Sequence, residues 1–184
     1  TLGLALALLF TLGWVSLFFV RAESVHEALP SYALAERLSV LAAVVALTVH
    51  VSACCVVLSF AGVIPVWRGL SSVAVFAAGI GLWLWGRMMI GPLRVPRMPD
   101  EPPLRFQRGG AFGIVRHPLY LGYLLAAGAP LLAAFEVALA VTYASCAIAL
   151  AVRARQEERR LHAQLGDAYA AYCREVKRLI PFVW

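Results

Sequence analysis

The chain has 184 residues, 62% hydrophobic and only 14% charged, far more apolar than a soluble domain of this length requires, which points to an integral membrane protein. Its net charge of +6 is carried by fifteen arginines and Lys177, gathered in blocks that flank apolar runs. That placement follows the positive-inside bias and excludes a nucleic-acid platform, which needs stacking aromatics interleaved with cations.

A bilayer core takes about twenty apolar residues per helix. Residues 2–20 are uncharged and form the first span. They lack a basic leader region and a clear small-residue cleavage site, so a retained helix is expected here, not a signal peptide. Residues 21–37 are a polar connector containing Glu23, His26, Glu27, Pro30 and Glu36. Residues 38–64 are a longer uncharged span with His50 near its middle, and 65–69 form a short turn. The third span, 70–86, ends at Arg87. A polar loop with five prolines between Pro92 and Pro103 then leads to His117. Residues 118–135 and 137–152 are apolar again and predict a helical hairpin with Glu136 at the bend, its first arm kinked or shortened by Pro130.

Beyond Arg153, the residues Leu161, Leu165, Ala168, Tyr169, Tyr172 and Val176 recur at spacings of three and four, the apolar face of one amphipathic helix that continues the fifth span into water or folds back along the membrane surface. The expected fold is therefore an all-α integral membrane helical bundle of about five transmembrane helices with a cytosolic C-terminal amphipathic helix. It forms a single membrane domain, with three spans in 1–86 and the loop, hairpin and C-terminal helix in 87–184. The four cysteines, Cys54, Cys55, Cys146 and Cys173, form no C-x-x-C pair and read as small hydrophobes.

The cations set the orientation. Loop 87–116 holds six arginines, and the tail holds Arg153, Arg155, Arg159, Arg160, Arg174, Lys177 and Arg178. A five-helix path adds Arg21 and Arg37 to the same side and leaves only Arg68 opposite. That side is expected to be the cytoplasm, with the N-terminus outside and the C-terminus inside.

Candidate site residues concentrate on that side. In GIVRHPLYLGY, Pro118 suits the first turn of a helix, which places His117 near the N-cap and Arg116 just outside it. A helix start with open N–H groups, a cation and an imidazole suits an anionic or polar ligand. Tyr120 and Tyr123 share a face, and Gly122 leaves room for a ligand or another helix. In RARQEERRL, Glu157 and Glu158 lie about one turn past the last span, where a carboxylate can meet ribose hydroxyls or a ligand ammonium. Taken alone, the first stretch reads better as an interfacial anchor and the second as a solvated helix face. A hairpin, however, brings its two ends together, so a basic, aromatic wall would oppose an acidic one. Arg87 could hold an anionic group or snorkel to the interface, and His50 most simply bonds a neighbouring helix. No G-x-G-x-x-G, P-loop, H-E-x-x-H or serine elbow is present, and no metal site is apparent.

GGAFGIVRHPLYLGYLLAAGAPLLA, followed by RQEERRLHAQLGDAYAAYCREVKRLIP, resembles the isoprenylcysteine carboxyl methyltransferase and phospholipid methyltransferase superfamily of integral membrane methyltransferases. The shared pattern is Gly110 with Phe112, Arg116 to Gly122, Glu157 to Leu161, Leu165 to Tyr172, and Ile180 with Pro181. The resemblance covers about the last hundred residues. It implies a membrane enzyme that moves a methyl group from S-adenosylmethionine to a lipophilic or small acceptor, a carboxylate, thiol or amine, with no metal. By the same resemblance His117 and Tyr120 contact the cofactor. Gly110, Phe112 and Val115 line its approach, Gly122 makes room, and Glu157 or Glu158 binds its polar ends. Arg87 would orient the acceptor, and Arg116 would hold the cofactor or a lipid phosphate. The chain departs from the family in its short length and in Ala111, where the loop often carries proline. A membrane reductase related to sterol reductases and a non-catalytic membrane protein are the alternatives.

Overall fold

A computed structural model describes residues 2–14, 34–90 and 107–180. Seven helices occur among them: α1 (Leu2–Trp14), α2 (Leu34–Phe60), α3 (Val66–Ile90), α4 (Ala111–Ile114), α5 (Pro118–Ala133), α6 (Val137–Leu165) and α7 (Asp167–Glu175). No β-strand occurs among the described residues, where a single parallel bridge joins Val115 to Lys177. Helix is the natural state of such apolar stretches, since it satisfies every interior backbone group without water.

Three helices, α2, α3 and α6, are long and apolar enough to cross a membrane, while α1 and α5 are apolar but shorter. Of the expected spans, about five, three are helices of crossing length among the described residues. Helix α5 has 16 residues, so it rises about 24 Å against a hydrocarbon core of about 30 Å. The rest of the expected first span, most of the 21–37 connector, the proline-rich loop and Pro181 lie outside the described residues.

Two boundaries differ from the sequence expectation. The predicted turn at 65–69 is already helix from Val66, because the Pro65 carbonyl accepts the N–H groups of Arg68 and Gly69 at 3.0 and 3.1 Å. The predicted single amphipathic tail helix is two. Helix α6 runs on from its apolar part to Leu165, and Gly166, at φ 52°, ends it by donating its N–H to the His162 carbonyl. Glycine adopts this left-handed conformation at no steric cost, which is why helices so often stop on one. Glu136 does stand at the bend between α5 and α6.

The chain forms two compact units, Thr1–Ala78 with Leu124–Arg153, and Gly79–Tyr123 with Ala154–Trp184. In the first, Phe10 packs on Phe76 with ring centroids 4.7 Å apart, and the polar groups converge on α5. Pro130 removes one backbone donor from α5, and the helix end leaves further carbonyls short of partners. Side chains from α2 and α3 serve carbonyls in this stretch: His50 Nε2–H donates to Ala127 at 2.8 Å, Ser72 to Ala129 at 2.6 Å and Arg68 to Leu132 at 2.8 Å. His50 is fully buried, with Nδ1 2.8 Å from the Thr142 hydroxyl, so it bonds neighbouring helices as its sequence position suggested.

In the second unit α3 and α5 meet backbone to backbone. A Cβ on Gly122 would lie 2.7 Å from the Gly79 carbonyl oxygen and 2.9 Å from the Trp83 nitrogen, so only glycine permits this approach. Trp83, 2% exposed, sets its ring edge against Tyr123 beside this contact.

Candidate active site

The site is assembled in the second unit from four short stretches. The first, 107–117, is pinned at several points. Gly110 has φ 58°, and a Cβ there would overlap the Met89 sulfur, so the glycine lets the loop lie directly on the end of α3. Arg108 donates to the Ala168 carbonyl at 2.6 Å and lies over the Tyr172 ring. The Tyr172 hydroxyl donates to the Phe112 carbonyl at 2.6 Å. Burial pushes the Tyr172 phenol up to about 12, so it remains a proton donor across the physiological range.

Beyond α4 the chain extends through the fully buried Val115 and runs beside the C-terminal segment. Arg116 N–H donates to the Lys177 carbonyl at 2.7 Å and His117 N–H to that of Arg178 at 3.1 Å. Pro118 then opens α5, as its missing N–H favours. The His117 and Tyr120 rings stack with centroids 5.4 Å apart and planes within 10°.

Helix α6 brings the acidic pair to this corner. Glu157 accepts a hydrogen bond from the Tyr120 hydroxyl, and its other oxygen is 3.7 Å from His117 Nδ1. His117 Nε2 faces Glu158 Oε1 at 3.3 Å. The same Glu158 oxygen accepts from Arg116 Nε at 2.9 Å and Nη2 at 2.8 Å, and Oε2 accepts from Arg178 Nε at 2.8 Å and Nη2. Burial pushes the Glu158 carboxyl up, but hydrogen bonds from His117, Arg178 and Arg116 outweigh it and hold the group well below the usual carboxylate range. In return the Glu158 hydrogen bond raises the Arg178 guanidinium further.

The expected pairing of the two hairpin ends is therefore present: Arg116, His117, Tyr120, Glu157 and Glu158 form one connected cluster. Gly110, Phe112 and Val115 lie in the segment that leads into it. The bare face of Gly122 is turned to the α3 backbone, so the room it makes is filled by a helix. Arg87 is half-buried near the end of α3, one turn beyond Trp83, with no hydrogen bond or ion pair to another described residue. No group of three metal-ligating side chains occurs among the described residues.

Sequence reasoning missed Arg178, which it counted as one tail cation among seven, and Tyr172, which it placed on an apolar face. Arg178 lies twenty residues from Glu158 with the Gly166 break between, so no local spacing announces the pair. The Ile180–Pro181 pattern next to Arg178 was the available signal that this tail is held in place.

Residues 74–163 match the isoprenylcysteine carboxyl methyltransferase family. That match spans just under half of the chain and, with the relative described next, supports a place in the isoprenylcysteine carboxyl methyltransferase-like superfamily. The matched stretch contains Arg87, the Arg116–Tyr120 corner and both glutamates, and stops short of Tyr172 and Arg178. A methanethiol S-methyltransferase from a Pseudomonas species is 30% identical over 136 residues, 64% of this chain and 50% of that protein. The chain thus aligns with about half the length of that relative. The family match and three helices long and apolar enough to cross a membrane together support an integral membrane protein.

Proposed function

We propose that the protein transfers a methyl group from S-adenosylmethionine to a small or lipophilic acceptor at the cytosolic face of the membrane. The observation that carries this reading is the convergence of His117, Tyr120 and Glu157 within the family-matched stretch. The donor set fits the cofactor. Glu157 offers a partly exposed carboxylate to ribose hydroxyls or an ammonium, and the first turn of α5 offers backbone N–H groups to a carboxylate. When bound, the cofactor supplies an electrophilic methyl group on sulfur.

The residues of the chain contribute position and electrostatics. The stacked His117–Tyr120 pair gives a flat wall, and Gly110 seats the loop before it on Met89 of α3. Arg87 has no internal partner among the described residues and is the group for an anionic or polar acceptor. In-line displacement depends chiefly on alignment, so a carboxylate or a thiolate needs no strong base, while a thiol must first release its S–H proton to solvent or to a basic side chain. Among carboxylates, thiols and amines we place a thiol first, on the strength of the methanethiol-methylating relative. Family and relative both favour methyl transfer over the reductase alternative. The cation distribution supports a cytosolic C-terminus.

Calorimetry of the detergent-purified protein is expected to show S-adenosylhomocysteine binding and none of NADPH, and no S-adenosylhomocysteine binding would end this reading. Transfer of a radiolabelled methyl group into small thiols, compared with extracted lipids, then identifies the acceptor.

A further inference from the structure

Two adjacent glutamates on one helix are not equivalent in this structure. The Glu158 side chain is 6% exposed and that of Glu157 is 33% exposed. A carboxylate has about four lone-pair sites. Glu158 meets Arg116 through Nε and Nη2, Arg178 through Nε and Nη2, and His117 through Nε2, so its accepting capacity is used internally. Arg116 is equally committed: its Nη1 group donates to the carbonyls of Cys173 and Val176, at the end of α7. Main-chain bonds from Arg116 and His117 to Lys177 and Arg178 close the same junction. Glu157 instead meets the Tyr120 hydroxyl and the Nδ1 side of the His117 ring.

We propose that Glu158 and Arg178 are positioning residues that lock the Arg116–His117 corner to the C-terminal segment, and that Glu157 is the carboxylate that meets the ligand. The second half rests on the methyltransferase reading above, and the first half does not. The C-terminal segment, which lies beyond the family-matched residues, becomes part of the site's frame. Through Glu158, Arg178 fixes the direction of the His117 ring. A buried carboxylate between two guanidinium groups couples them strongly, because loss of any member leaves an uncompensated charge.

The test uses the full chain in detergent, with S-adenosylhomocysteine as the probe. Glu157→Gln keeps an acceptor for Tyr120 and is expected to weaken binding about tenfold or more at unchanged melting temperature. Glu158→Gln and Arg178→Ala are each expected to lower the melting temperature, and in combination to lower it far less than the sum. Arg178→Ala is expected to weaken binding about tenfold through the misplaced His117, and Arg178→Lys, which restores one charged hydrogen bond, to recover most of that loss. If Glu158→Gln melts like the wild type while losing binding as Glu157→Gln does, Glu158 is a ligand group and the assignment is overturned. Additive melting shifts for Glu158 and Arg178 would overturn the lock. If the wild-type protein binds no S-adenosylhomocysteine, the Glu157 half falls with the methyltransferase reading, and the melting coupling still decides the Glu158 half.

Discussion

His50 and Glu158 are both buried polar groups, and their surroundings differ in kind. Among the described residues, His50 sits in an apolar helix and meets uncharged groups, the Ala127 carbonyl, the Thr142 hydroxyl and the Cys54 thiol. Glu158 sits on the charged extension of α6 and meets two guanidinium groups and an imidazole. A neutral ring can be satisfied by carbonyls near a proline in a short helix, where no water reaches. A carboxylate needs opposite charge, and the chain supplies it only where its arginine-rich segments return. The intramembrane histidine is a tether between helices, as its position suggested. The glutamate, one of several surface-like charges by sequence, is the centre of a network.

The sharpest way to break this contrast is to remove Arg116. Arg116→Ala strands Glu158 with half of its cationic partners and leaves the Cys173 and Val176 carbonyls without their donor. Its expected loss is about 3–5 kcal/mol, read from denaturant unfolding in detergent. His50→Ala removes two neutral hydrogen bonds and some packing, with an expected loss of about 2–3 kcal/mol and unchanged S-adenosylhomocysteine affinity. An affinity change comparable to that of Glu157→Gln would show that His50 is more than a tether.

The smallest effect is a pH slope. The unfolded Glu158 carboxyl protonates near its ordinary value of 4.5, and the native one resists until well below it. The unfolded state therefore binds more protons as pH falls below that value. Stability is full above about pH 5.5 and declines at up to about 1.4 kcal/mol per pH unit beneath 4.5. Melting curves between pH 6 and pH 3.5 should show this slope flattened in Glu158→Gln and intact in His50→Ala. An equal slope in both would place the acid-sensitive group elsewhere.

Much of this was legible in the residues. Uncharged runs marked α2, α3, α5 and α6, and Glu136 marked the bend, because membrane helices and their ends are local matters of hydropathy. The RHP and EE stretches were legible as partners because a hairpin must return to its starting side. The break at Gly166 was written in the sequence as Leu-Gly-Asp and was overridden by an apolar spacing that continued across it. The exposure of Glu157 and the burial of Glu158 were not legible, since adjacent residues on a helix differ only in what stands opposite each face.

By itself, the order of residues determined an all-helical membrane chain, a charged side and the two stretches that meet, since hydropathy and charge act along the chain. Tertiary structure alone decided that α5 is tethered by His50, Ser72 and Arg68, that Gly122 admits a helix, and that Arg178 closes on Glu158. Those are contacts between segments far apart in sequence. Their energies depend on distance and desolvation, which residue spacing does not encode.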